Sequence, residues 1–211
     1  MDYYVRFPYN MAIMKESTSS RIFSAILVLG SLIGLLFSVL ITIEKLHLVQ
    51  NPAYIPPCNI NPLISCGSVM STWQASVFGF PNSLLGIAGF SMMLVLGVAL
   101  MAGASFRRWF WLLAQTGMTF AVGFVYWLFY QSVYRIGALC PYCMVVWAVT
   151  IPMFWYLTLY NLNEGHIPTL KILTRFKLFL LRRHIRILCL FYLIIIGAIL
   201  IHFWDYWSRV L

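Results

Sequence analysis

Five apolar runs, each near the roughly 20 residues a helix needs to cross a hydrocarbon core, constrain this chain more than any other feature. They cover roughly residues 22–46, 83–104, 109–134, 141–161 and 187–207. Hydrophobic residues make up 62% of the chain and charged residues only 9%, where a water-soluble domain averages about 25%. The expected class is an all-α polytopic membrane protein. A formal net charge of +9 would suit a nucleic-acid surface, but the charges fall in short connectors between apolar runs, where they record membrane orientation. No nucleic-acid partner is expected. The first run is too long, begins too late and lacks a small-residue cleavage pattern, so it reads as a retained span and not as a signal peptide.

Eleven of the 14 basic residues share one side: Arg6, Lys15, Arg21, Arg107, Arg108, Lys171, Arg175, Lys177, Arg182, Arg183 and Arg186. Only Lys45, Arg135 and Arg209 are left for the other. The positive-inside rule then predicts a cytoplasmic N-terminus and an external C-terminus. The segment 47–82 faces outward and contains no Asp, Glu, Lys or Arg. The chain divides into an N-terminal segment 1–21, a four-span unit 22–161, a basic inner loop 162–186 and a fifth span 187–211. Within the basic loop, "KILTRFKLFLLRRHIR" interleaves charge with apolar residues and reads as a stretch lying on anionic membrane lipid.

Four of the five cysteines fall on the outward side by this topology. Cys58 and Cys66 lie in "CNINPLISCG", and Cys140 and Cys143 in "CPYC" at the head of the fourth span. That side is where disulfides persist. With Cys140 as N-cap, Pro141 takes the first helical position, where its missing N–H costs nothing. The helix N-terminus would lower the Cys140 pKa. Cys143 sits one turn deeper on the same helix face, so one sulfur meets a water-side group and the other something dissolved in lipid. A CxxC by itself also serves zinc sites and static disulfides. Two pairs, one on a Pro- and Asn-rich loop expected to act as a tether and one at a helix N-terminus, favour disulfide exchange. Cys189 lies near the opposite side and reads as a small apolar residue. Beyond Gly67, Val69, Trp73 and Val77 recur at helical spacing, predicting a short amphipathic helix on the membrane interface. Asn82, in "FPNSLLG", stands where it can cap the second span or bond a carbonyl ligand.

The loop pair in "CNINPLISCG", the Asn in "FPNSLLG" and the later "CPYC" together resemble the vitamin K epoxide reductase family, in a bacterial form without a fused thioredoxin-like domain. The resemblance covers roughly residues 21–161. It implies a four-helix bundle around a quinone headgroup, ubiquinone or menaquinone, in a bacterial inner membrane, with the fifth helix an addition. It further implies that Cys143 lies nearest the quinone, that Cys140 exchanges with the loop through Cys66, and that Cys58 meets the partner. Asn82 would contact a quinone oxygen. Trp147 stands where vertebrate members place a ligand-holding Tyr, and indole only donates. The implied activity is reoxidation of a DsbA-like thioredoxin-fold protein at the expense of the quinone. The alternatives are reduction of vitamin K epoxide or quinone by the same cysteines, and a non-enzymatic membrane scaffold with structural disulfides.

Other residues are read conservatively. Trp109, Trp111, Trp204 and Trp207 lie near span ends and read as interfacial anchors. His47, His166, His184 and His202 do not cluster by topology, so no metal site is expected. Glu44 and Lys45 read as snorkelling or paired, with a proton-relay role for Glu44 as the alternative.

Overall fold

The computed structural model describes the backbone of residues 9–167 and 174–210 and, within these, the side chains of 21–167, 175–206 and 208. In chain order the helices are α1 (Tyr9–Gln50), α2 (Cys66–Met70), α3 (Ser83–Met101), α4 (Arg108–Tyr130), α5 (Pro141–Asn163), α6 (Thr174–His202) and α7 (Trp204–Val210). Five of them, α1, α3, α4, α5 and α6, are long and apolar enough to cross a membrane, and no strand occurs among the described residues. An all-α polytopic membrane protein is therefore the fold class. α1 alone has 42 residues, about 63 Å at 1.5 Å per residue and twice the thickness of a hydrocarbon core.

α1 lies between α3 and α5, and α4 packs on the far side of α5. Small residues let these backbones approach, as they must where lipid supplies no hydrophobic drive for association. A Cβ on Gly34 would stand 2.4 Å from the Phe90 ring of α3, and one on Gly30 would stand 2.8 Å from the Met153 sulfur of α5. Thr42 Oγ1 donates to Ser83 Oγ at 2.7 Å, a second tie between α1 and α3. At the end remote from the cysteines, Phe23, Leu27, Trp111, Met153 and Leu157 form the main apolar cluster. Trp111 is 2% exposed, so it is a core residue where an interfacial anchor was expected. Trp109 and Trp204 are exposed as anchors would be; the Trp207 side chain lies outside the described residues.

α6 is attached by polar hooks more than by area. Pro152 inside α5 supplies no N–H, which leaves the carbonyl of Ala148, four residues back, without its helical partner. The Tyr192 hydroxyl of α6 donates to that oxygen. Trp155 Nε1 donates to the His184 carbonyl at 3.1 Å, beside a break in helical geometry at Arg183. Helix thus begins at Thr174, well before the boundary near 187 that hydropathy gave; the basic residues of the 162–186 loop conceal a helix that bends at Arg183. Arg108 Nε donates to the His166 carbonyl and Lys177 Nζ to that of Asn163, so these basic residues gather at one end of the bundle. Arg6 and Lys171, counted on the same side, lie outside the described residues.

A candidate redox site at the mouth of the bundle

The site is built from two backbone segments brought into register. α4 ends in a π-helical turn, Gln131–Ile136, of the kind that often marks functional sites. Gly137, at φ 71°, takes the left-handed conformation that favours glycine and turns the chain toward α5. The Ser132 hydroxyl donates to the Ala138 carbonyl and fixes that turn. Leu139 then forms an isolated parallel bridge with Ile64: its N–H donates to the Leu63 carbonyl at 2.7 Å, and its carbonyl accepts from Ser65 N–H at 2.9 Å. Each partner of the bridge is followed, one or two residues later, by a cysteine.

Asparagines shape the loop side. Asn61 Oδ1 accepts from the N–H groups of Leu63 and Ile64. Asn59 Oδ1 accepts from Gly67 N–H at 2.8 Å and from the Ser65 hydroxyl. Ser65 caps α2, its hydroxyl accepting from Ser68 N–H at 3.2 Å. At the other end of α2, Lys45 of α1 donates to the Met70 carbonyl, satisfying an orphan of the helix C-terminus. Cys66 is therefore the first residue of a pinned helix. The tether expected from the Pro and Asn content is absent in this arrangement, because the asparagines bond backbone N–H groups instead of leaving them to water. The interfacial helix also differs from expectation. Thr72 is extended, at ψ 158°, and divides it into α2 and a 3-10 turn, Trp73–Ser76.

The four outward cysteines meet here. Cys58 and Cys66 form a disulfide, and Cys140 Sγ lies 3.4 Å from Cys66 Sγ. Cys58 is 5% exposed, while Cys66 and Cys140 are fully buried. Cys143, one helical turn on, is only partly buried as a residue. Cys140 is the N-cap of α5 with Pro141 at the first position, and its sulfur accepts from Cys143 N–H at 3.4 Å. The Cys143 thiol hydrogen bond, assisted by the Cys143 and Tyr142 backbone N–H groups, holds the Cys140 pKa below the usual thiol value against the opposing effect of burial. A thiol so placed is a ready leaving group. Cys189 is free and exposed on α6, outside this cluster.

Asn82 and Trp147, the other two residues singled out from sequence, flank the bundle mouth differently. The Asn82 side chain makes no cap for α3. Its Nδ2 donates to the Gln74 carbonyl at 2.7 Å and its Oδ1 accepts from Val77 N–H at 3.1 Å, which fastens the 3-10 turn to the head of α3. Trp147 is 6% exposed and meets Phe129 of α4 edge-on, ring centres 5.5 Å apart. Gln74 has no motif around it and is not legible from sequence. Its Nε2 reaches Gln131 of the π turn at 3.5 Å, and its Oε1 is buried with no hydrogen-bond partner. A buried orphan acceptor beside Asn82 suits a ligand that can donate a hydrogen bond, as a quinol hydroxyl does.

Comparison with known families fits this arrangement. A model described as the vitamin K epoxide reductase family matches residues 25–158. The chain belongs to the vitamin K epoxide reductase family. As a vitamin K epoxide reductase family member it is a multi-pass membrane oxidoreductase, of a family that works between thiols and quinones. The matched segment runs from within α1 to the last turns of α5 and contains all four clustered cysteines. It excludes α6 and α7.

Proposed function

We propose that this protein reoxidises a DsbA-like thioredoxin-fold protein outside the cytoplasm and delivers the electron pair to a membrane quinone, ubiquinone or menaquinone. The observation that carries the proposal is the 3.4 Å separation of Cys140 and Cys66 sulfurs, which places a thiol against a disulfide with both pairs in one cluster. A partner thiolate attacks Cys58, and Cys66 leaves as a thiolate; the partner's second thiol resolves the mixed disulfide and the partner departs oxidised. Cys66 then attacks Cys140, releasing Cys143. Cys58 attacks Cys66, restoring the loop disulfide and releasing Cys140, whose low pKa favours departure. Two electrons and two protons have then moved from the loop pair to the CxxC pair. A quinone, when bound, supplies the two-electron acceptor. Cys143 would pass the electron pair to that acceptor, and Asn82, Gln74 and Trp147 would hold its headgroup.

A Cys66→Ser variant expressed in its native cell is expected to accumulate a mixed disulfide between Cys58 and a thioredoxin-fold protein. The purified wild-type protein, reduced with a dithiol, is expected to reoxidise Cys140 and Cys143 on addition of quinone. Absence of both the adduct and quinone-dependent reoxidation would overturn the assignment. Oxidation of the CxxC by quinone with no thioredoxin-fold adduct would remove the proposed partner alone.

A further inference from the structure

A charged side chain inside a membrane span is costly and is retained where it has work to do. Glu44 is the case in α1. It is 7% exposed, and its Oε2 accepts a hydrogen bond from the Tyr54 hydroxyl at 2.9 Å. Its neighbours on the same helix face, Ile41 three residues before and Leu48 four after, both pack on the cluster of Cys58, Cys66, Met70 and Cys140. The next residue, Lys45, bonds the carbonyl of Met70 in that cluster. Tyr54 is half-buried in the connector that leads to Cys58, and the His47 ring meets it edge-on at 5.1 Å. The hydrogen bond to Glu44 raises the Tyr54 pKa, with smaller contributions from burial and from the charges of Glu44 and of Tyr142, between the two CxxC cysteines. The titratable groups around Glu44 are thus Lys45 and His47 on its own helix, Tyr54 in the connector, Tyr142 on α5 and the four cysteines; α3, the other helix packed on α1, contributes none.

We propose that Glu44 is the proton-exchange group of the sulfur relay and that Tyr54 positions its carboxylate. This rests on the relay described above, and it answers a need that relay creates. The loop sulfurs, released as thiolates, take up a proton while they wait, so the attacking sulfur must lose that proton again and the departing CxxC sulfur must regain one, in surroundings closed to bulk water. Glu44 takes the proton from the loop thiol as the new sulfur–sulfur bond forms and returns it to the CxxC sulfur as the old bond breaks. The exchange is neutral in protons and moves one electron pair inward. Tyr54 holds Oε2 by its hydrogen bond, leaving Oε1 to turn toward the sulfurs.

The test is the single-turnover transfer from loop to CxxC. The fully oxidised protein in lipid nanodiscs is mixed with dithiothreitol, quenched in acid at intervals, alkylated, and analysed for free Cys140 and Cys143 between pH 5.5 and 8.5. No quinone is needed. Glu44→Gln is expected to slow transfer by about a hundredfold, the lower end of general-base effects. Glu44→Asp, which keeps a carboxylate, restores part of that rate, and Tyr54→Phe slows transfer less than Glu44→Gln does. A wild-type rate in Glu44→Gln would overturn the assignment of Glu44 while leaving the relay intact. If the wild type itself reduces its loop disulfide but never its CxxC, the relay fails and this inference with it. A merely structural role predicts that Glu44→Asp, the poorer steric match, is slower than the isosteric Glu44→Gln, and that order would also overturn the inference.

Discussion

The sulfur of Cys140 is controlled by groups within one helical turn, the Cys143 thiol and two backbone N–H groups, and faces the Cys66 sulfur of another helix 3.4 Å away. Remove Cys143 and the principal cause of its low pKa goes too. In Cys143→Ala the pH at which Cys140 becomes reactive is therefore expected to move upward, because the thiolate now needs a higher pH to form. With no resolving partner, Cys140 should also be caught as a disulfide with Cys66, leaving Cys58 as the free thiol. Peptide mapping under non-reducing conditions reads this directly; an unlinked Cys140 would contradict the geometry. The role of the "CPYC" residues was legible in the sequence, since Pro141 announces a helix start and an N-cap thiol has predictable chemistry. Gln74, Asn59 and Tyr54 were not. Each acts through a contact with a residue distant in sequence or with backbone, and none leaves a periodic trace in the chain.

One element, a bridge of a single residue pair, joins loop and CxxC. Ile64 and Leu139 set the register, and the side chains of Asn59 and Asn61 hold the loop in the shape that reaches it. Asn59→Ala leaves the Gly67 N–H without its acceptor, at a cost of about 1–3 kcal/mol. The expected results are a lower thermal midpoint and slower formation of the Cys66–Cys140 disulfide in a Cys143→Ala background. An unchanged trapping rate would mean the loop needs no such support. Hydropathy located α3, α4 and α5 to within a few residues because each is a near-continuous apolar run. It misplaced the start of α6, where Lys and Arg interrupt the run without interrupting the helix. It also could not see the break at Thr72, since Val69, Trp73 and Val77 keep helical spacing across an extended residue. A one-pair bridge has no period at all, so nothing short of the folded chain reveals it.

Taken whole, the molecule puts sulfur at one end and positive charge at the other. Arg108 and Lys177 bond backbone at the ends of α4, α5 and α6, opposite the mouth where Cys66 meets Cys140. From five candidate spans and the charge rule we propose that the two termini lie on opposite sides of the bilayer, the N-terminus inside. A reporter active only outside the cytoplasm is expected to work when fused after Leu211 and to fail when fused before Met1; the reverse pattern would invert the orientation on which the proposed partner depends. Burial of the loop disulfide bears on traffic through that mouth. With Cys58 5% exposed and Cys66 at 0%, no soluble protein can touch either sulfur while the loop is seated on α5. On the proposed relay, loading from outside and unloading toward the membrane would then alternate, like the two gates of a canal lock. The proposed partner would then never be in direct contact with the proposed lipid-borne oxidant.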